Sequence, residues 1–437
     1  MIGGGITGAG IARDIALRGV KVTLIEKRSP ASSATGRCHG LLHSGARYAV
    51  KDPGSAAECA RENMVLKEIA PESIDDTGGI FLGITEDDVV YGEKLRDACR
   101  AANIPMEEVS PAESPNPDAI KCYATNDARV DPFLLTLSNL YDARINGATI
   151  ITGRDVAMIN SDGVTLGDGQ KIKGEIVINA TGYECAGLLN QSGLRSLLVQ
   201  PNKGTILVTE RRVCDTVVNR MRPPSNGDIV VPCHTTSLIG TTSSNSTSDV
   251  PVRQEYKDLI REAIQYLPSI KGARVIRAFS GVRPLLGSGD GRNLSRDYQV
   301  FRENNVISVA GGKLTTYRLI AERVSDEAMS MLGERGGCRT NTRLPDILNK
   351  CDDRAPICLC ESMADRLIDM DFLSPGDRAK FNRIGFGACQ GMRCSGHHDD
   401  REQFLQERWK GVKPVINESQ VPQSYLSWAV YKSRMGL

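Results

Sequence analysis

The sequence predicts an α/β protein on three observations. Short β-branched runs alternate with helical stretches, a glycine-rich turn opens straight into a helix, and the strand after that helix ends in an acid. The alternation extends from Met1 to about Ile320. Strands are expected at Lys21–Glu26, Ala148–Thr152, Glu175–Asn179, Thr205–Val208, Ser237–Thr241 and Val306–Val309. Helices are expected at Ala9–Arg18, Ala56–Ile69, Asp88–Ala102, Pro132–Asn146, Gln254–Tyr266 and Thr316–Met331. The polar stretch Asn293–Asn305 reads as a loop with one short strand.

The opening turn, Gly3-Gly4-Gly5-Ile6-Thr7-Gly8, fits G-x-G-x-x-G. Its first glycine permits the tight turn, the second lets a pyrophosphate approach the backbone, and the third lets helix and strand pack closely. The helix N-terminus then offers N–H groups and a positive dipole end to phosphates. The next strand, Val22-Thr23-Leu24-Ile25, closes at Glu26, where a carboxylate accepts from ribose hydroxyls and repels a 2′-phosphate. Turn, helix, strand and acid together specify a dinucleotide site; the turn alone does not separate FAD from NAD. Only Met1 and Ile2 precede Gly3, whereas a strand commonly has about five or six residues, so the first strand is expected to be truncated or unusually short.

Composition narrows the function classes. The chain has 437 residues, enough for two or three domains. A formal net charge of +1 gives no general basic field, so nucleic acid is not expected as a partner. No apolar run reaches bilayer-spanning length, and no charged region and apolar core precede the glycine turn, so the chain is read as cytoplasmic. In that compartment thirteen cysteines are expected as thiols rather than disulfides. Composition turns polar near Gly333–Gly337, and 333–354 reads as a linker. A compact cysteine-bearing module over 355–400 and a tail over 401–437, with Trp409 and Trp428, follow.

The run Val177-Ile178-Asn179-Ala180-Thr181-Gly182 resembles the second nucleotide-contacting strand of flavoproteins with two dinucleotide-binding folds, which favours FAD. More specific are Ala34-Thr35-Gly36-Arg37-Cys38-His39-Gly40-Leu41-Leu42-His43-Ser44-Gly45-Ala46-Arg47-Tyr48, Val130–Phe133, Pro201–Gly204, Ser237–Ser243, Ser280–Leu285 and Gly311–Arg318. In this order they resemble the FAD-dependent glycerol-3-phosphate dehydrogenases over most of residues 1–330. The cysteine module and Glu407-Arg408-Trp409-Lys410-Gly411 make the large catalytic subunit of the anaerobic branch the nearest resemblance, with 333–354 shortened.

The resemblance implies a Rossmann-like FAD domain of the two-dinucleotide-fold type, interleaved with an α+β substrate domain over 1–332, and a small helical iron–sulfur module. It implies oxidation of sn-glycerol 3-phosphate to dihydroxyacetone phosphate by hydride transfer to FAD. Electrons would leave through a [2Fe–2S] cluster to partner subunits, then to quinone, with the chain cytoplasmic or held peripherally on the inner face of the cytoplasmic membrane by its partners. Cofactor positions carried over are Gly3, Gly5, Gly8, Glu26, Thr35, Gly36, Arg37, His39, Gly40, Gly182, Gly312 and Thr315. Substrate positions are Arg47, Tyr48, Arg283, Arg296, Lys313 and Thr315, since arginine forks and a lysine suit a phosphate. His43, Arg283 and Lys313 are expected at the reacting alcohol, His43 as its base or as a neutral ring against the flavin. His39 and His43 stand four apart, but the glycines between and after them oppose a helical metal pair.

Cys358-Leu359-Cys360 and Cys389-Gln390-Gly391-Met392-Arg393-Cys394 form C-x-C and C-x4-C pairs. Four thiolates suit a [2Fe–2S] cluster, and the pattern resembles the bacterioferritin-associated-ferredoxin-like module of this dehydrogenase type. The competing reading is a structural zinc with four cysteine ligands. His397 and His398 are expected at the surface. Two other functions remain open: an FAD-dependent amino-acid or 2-hydroxy-acid oxidase or dehydrogenase, and a non-catalytic electron-transfer component.

Overall fold

The computed structural model describes residues 1–292, 294–348, 355–391, 394 and 429–430. The C-terminal motif Glu407–Gly411, both tryptophans, His397 and His398 lie outside the described residues.

The nucleotide half is a parallel layer. Strand Thr23–Glu26 pairs with Thr149–Thr152, Val177–Asn179 pairs with Val306–Gly311, and Tyr298–Glu303 closes the edge antiparallel. The two parallel pairs are joined by Ile2, which bridges in parallel to both Ile25 and Asn179. The expected short first strand is therefore a single bridging residue, yet it occupies the centre of the layer. Its backbone is satisfied on both sides: Ile2 N–H donates to Ile178 O at 2.8 Å and Gly3 N–H to Ile25 O at 2.9 Å.

Helix Ile6–Leu17 packs between helices Pro132–Ile145 and Tyr317–Leu332. Its buried face is built from Gly8, Ala9, Gly10, Ala12 and Ala16, and small residues there permit close approach. A Cβ on Gly10 would meet the Tyr317 ring at 2.8 Å. Arg13 is fully buried in the same helix. It bonds Asp142 Oδ2 at 2.6 Å, Thr340 O at 3.1 Å and Thr342 O at 2.8 Å. The polar segment after residue 333 is thus held against the nucleotide half, with Thr340, Leu344 and Ile347 buried.

The second half is a nine-stranded mixed sheet. Its longest pairing runs between Val199–Thr209 and Val275–Leu286, antiparallel from Val199↔Leu286 to Thr209↔Val275. The expected strand Thr205–Val208 lies within the first of these. Helix Arg253–Tyr266 covers this sheet through Leu259, Ala263 and Tyr266.

The segment 355–391 is mostly turns, with one helix at Pro375–Phe381. It packs on helix Pro132–Ile145: Phe133 meets Phe381 and Phe386 edge to face at 5.9 and 6.0 Å. Arg383 reaches Asp131 and Glu361, each at 3.4 Å, and all three are buried. Among the described residues no helix is long and apolar enough to cross a membrane.

Candidate active site

One cavity of about 880 Å³ runs from the glycine turn to the junction of the two halves, in the upper part of the range for ligand pockets. At its nucleotide end the glycines are sterically required. Gly3 sits at φ +104°, and a Cβ there would meet Ala180 O at 2.6 Å; a Cβ on Gly8 would collide with Gly3 O. Gly5 lines the cavity and caps the helix with no side-chain hydrogen bond. Glu26 closes the second strand, buried, its Oε2 accepting from Gly4 N–H at 2.7 Å and its Oε1 from Arg28 N–H at 2.8 Å. Thr35 Oγ1 accepts from Ile6 N–H at 3.1 Å. These features fit a dinucleotide: an open helix N-terminus, a backbone that leaves room for phosphate, and an acid at the strand end.

Other expected cofactor positions divide. Arg37, His39, Gly182 and Gly312 line the cavity. Gly8, Gly36, Gly40 and Thr315 lie behind its wall. Gly36 packs under Phe133, and Gly40, at φ +65°, accepts from Val130 N–H at 2.7 Å. Thr315 is fully buried and its Oγ1 accepts from the His43 backbone N–H at 3.0 Å, so it positions His43 rather than facing the cavity. Arg37 is paired with Asp249.

At the inner end the structure brings together His43, Arg47, Tyr48, Arg283, Arg296 and Lys313, drawn from four distant stretches of chain. Arg283 crosses from its strand over Gly204, where a Cβ would strike the guanidinium. It donates to Asn202 Oδ1 at 2.9 Å, to Thr242 O at 3.2 Å and to Thr241 Oγ1. Among the described residues no carboxylate pairs with it. Burial, with Arg296 and Arg292 beside it, pushes its pKa down to about 9. Lys313 donates to Arg296 O at 2.8 Å and lies 4.9 Å above the Tyr48 ring; burial lowers its pKa also. Tyr48 OH stands 3.2 Å from His43 Nε2. Burial, then the neighbouring His39 and the cations Arg47, Lys313 and Arg296, holds His43 well below the ordinary imidazole range, so the ring is neutral.

Three residues of this end were not singled out from the sequence: Arg292, Asp228 and Asn202. Arg292 donates to Asn226 Oδ1 and adds a further guanidinium to the cavity wall. Asp228 is the buried counter-charge of Arg47, at 2.6 Å. Arg292 immediately precedes the polar stretch Asn293–Asn305, and Asp228 follows a turn 181 residues from Arg47, so neither carries a local signal. Asn202 does lie within a quoted motif, Pro201–Gly204.

The family model for FAD dependent oxidoreductases matches residues 1–326. The chain belongs to the FAD dependent oxidoreductase family. Over its whole length this oxidoreductase is similar to proteins named as the A subunit of anaerobic glycerol-3-phosphate dehydrogenase. It is 35% identical to that of Escherichia coli (strain K12) and 33% identical to that of Haemophilus influenzae, spanning 96% and 93% of those proteins. It is thereby an enzyme of that dehydrogenase family. The alignment with the Escherichia coli protein is 523 positions long against 437 residues here, so the oxidoreductase is the shorter chain. Its fold matches L-alpha-glycerophosphate oxidase from Mycoplasma pneumoniae with FAD bound, at a TM-score of 0.65 and 19% identity over 79% of this chain and 98% of that one.

In the docked segment of the oxidoreductase the four expected cysteines gather together: Cys358 lies beside Cys394 and Cys360, and Cys389 beside Cys360 and Cys394. Hydrogen bonding from Cys394 lowers the Cys358 pKa to about 6 and raises that of Cys394. Among the described residues no group of three or more His, Cys, Asp or Glu side chains converges as a single metal ion requires.

Proposed function

We propose that the protein oxidises sn-glycerol 3-phosphate to dihydroxyacetone phosphate, and that electrons leave through a [2Fe–2S] cluster to partner subunits, then to a quinone. The observation that carries this reading is the charge of the inner cavity. Arg47, Arg283, Arg292, Arg296 and Lys313 line it, and among the described residues Arg47 alone of these is held in a salt bridge, to Asp228. One bidentate arginine satisfies a carboxylate, whereas several guanidiniums and an ammonium suit a phosphate dianion. This favours a phosphorylated alcohol over an amino acid or a 2-hydroxy acid.

FAD bound along the glycine turn supplies the hydride acceptor. Gly3 and Gly5 make room for its pyrophosphate, Gly8 lets the helix pack close to the turn, and Glu26 would turn its carboxylate to the ribose. Thr35, Arg37, His39, Gly182 and Gly312 complete the cofactor wall, and Gly36, Gly40 and Thr315 support it from behind. Arg283, Arg296 and Arg47 clamp the phosphate, with Tyr48 and Lys313 completing the pocket. The neutral His43 takes the hydroxyl proton, oriented by Tyr48 on its ring and Thr315 on its backbone. Arg283 and Lys313 stabilise the charge that develops on the reacting oxygen.

The paired cysteines support the cluster. Two irons take two thiolates each, and the C-x-C and C-x4-C pairs brought together in this segment suit that arrangement. The docking supports an exit route. Arg383 reaches Asp131, which follows strand Ala128–Val130, and that strand bonds Gly40 and Leu41 in and behind the cavity wall. Partners on the inner face of the cytoplasmic membrane would receive the electrons.

Anaerobic mixing with sn-glycerol 3-phosphate tests the reaction. Rapid bleaching of the flavin is expected; bleaching by a 2-hydroxy acid or amino acid in its place would refute it. Iron and acid-labile sulfide are expected in the purified protein, and zinc at the cysteines would remove the relay. Cys358→Ser with Cys394→Ser should keep the bleaching and lose quinone reduction in the assembled complex.

A further inference from the structure

We propose that Asn202 is a specificity-determining residue: it positions Arg283 with a neutral acceptor, so that the guanidinium keeps its charge for an anionic substrate. The inference rests on the reading of the substrate as a phosphorylated alcohol. Asn202 is 1% exposed and lines the cavity, as Arg283 does. Strand register puts the two together. On Val199–Thr209, Asn202 stands directly opposite Arg283 of Val275–Leu286 and, on its other side, opposite Asn245. Arginine has no acceptor, so the side of the amide that meets Arg283, at 2.9 Å, is the oxygen. The amide nitrogen donates to Ser243 Oγ at 3.1 Å and to Asn245 Oδ1 at 3.2 Å. Asn245 in turn donates to Gly289 O at 2.8 Å, and a Cβ on Gly291 would collide with the Asn202 nitrogen. One amide therefore holds Arg283 and packs against the backbone that leads into Arg292.

The neutrality of that amide is what bears on the substrate. Arg47, on the same cavity, is held by the carboxylate of Asp228 at 2.6 Å. Arg283 is held by Asn202 Oδ1, Thr242 O and Thr241 Oγ1, all uncharged. An aspartate at 202 has nearly the same shape and would still accept from Arg283. Buried there, with Arg296 and Arg292 also close to the Arg283 guanidinium, it would be ionised. The resulting pair would compete with an incoming phosphate for Arg283. Asparagine supplies the hold without the competing charge. A residue needed only as an acceptor could be either, so exchanging one amide for a carboxylate separates the two roles.

The test measures two quantities in the FAD-loaded protein: the Kd of inorganic phosphate, by calorimetry, and kcat/KM for sn-glycerol 3-phosphate, by anaerobic flavin reduction. Asn202→Asp should raise the Kd and lower kcat/KM, each by roughly tenfold to a hundredfold, the value of a charge-assisted contact. Asn202→Ala leaves Arg283 charged but less well held, and should change each by about threefold to tenfold. Effects in Asn202→Asp that are equal to or smaller than those in Asn202→Ala overturn the proposal, because the acceptor and not its neutrality would then matter. Unchanged phosphate affinity in Asn202→Asp overturns it as well. If Asn202→Asp does not hold FAD, Asn202→Ala decides: weaker phosphate binding with full FAD content sustains the positioning of Arg283, and unchanged binding overturns it. A wild type that is neither reduced by sn-glycerol 3-phosphate nor bound by phosphate would instead refute the substrate reading itself, a separate result.

Discussion

Tyr48 places its hydroxyl 3.2 Å from Nε2 of His43, while the backbone of the same histidine is held by Thr315 from 272 residues away. The ring is buried among cations, so its protonated form is disfavoured and the neutral form persists well below pH 6.5. The rate of flavin reduction should therefore stay level from about pH 7 down through pH 6.5 and decline only in more acid solution. His43→Gln should slow reduction by roughly 10²–10⁴-fold, the usual worth of a positioned base. An acid limb centred at or above pH 6.5, or a fully active glutamine variant, would take the base role from His43.

Stability should follow the same histidines. Burial lowers His39 to about 3 and His234 to about 2, and holds His43 well below its usual range. Each folded-state pKa lies below the unfolded value near 6.5, so the unfolded chain binds protons that the folded one does not. The contribution is whole above pH 6.5 and is lost as pH falls below it. Thermal unfolding followed by calorimetry at pH 8, 6 and 5 should show Tm dropping between the last two. His39→Gln should reduce that drop.

Arg283 is a buried guanidinium whose hydrogen bonds go to neutral groups. In the proposed function it serves an incoming anion rather than the fold, so Arg283→Met should leave the FAD-loaded protein as stable as the parent or more so. The same change should lower kcat/KM for sn-glycerol 3-phosphate by roughly tenfold or more. Gly204→Ala should reproduce that kinetic loss by displacing the side chain. A large fall in Tm with unchanged kinetics would make Arg283 structural.

Arg383 joins Asp131 and Glu361 in a buried contact between the cysteine segment and the helix it packs on. Arg383→Ala leaves Glu361 without its cation while Asp131 keeps Arg129, so the loss should lie near the lower end of the about 3–5 kcal/mol for a broken buried pair. Segment 355–391 should then be cleaved faster by protease, while flavin content and the bleaching rate hold. Loss of FAD in this variant would mean that the segment supports the nucleotide half directly.

The glycine turn, its helix, the strand ending in Glu26 and five further helices were readable in the sequence, because each is written in local spacing and capping. The strand Val275–Leu286 was not among the expected strands. Gly281, Pro284 and two arginines interrupt its alternation, and only its long pairing with Val199–Thr209 makes it extended. Residues 333–348 read as linker from their polarity, yet Arg13, on the first helix, holds Thr340 and Thr342 by their backbone carbonyls. Such bonds depend on the main chain, so side-chain composition does not announce them.

For the site, the sequence alone determined the dinucleotide turn and the acid beside it, and through motif resemblance the family and most of the cationic residues. Tertiary structure alone decided three things. It set Thr315 behind the wall as a support for His43, gave Asp228 to Arg47, and gathered Cys358, Cys360, Cys389 and Cys394 together. The reason is physical. A local pattern reports what a residue is and which way its own element turns, whereas the charge a side chain feels and the partner it meets come from segments a hundred or more residues distant, joined only when the two halves close on the cavity.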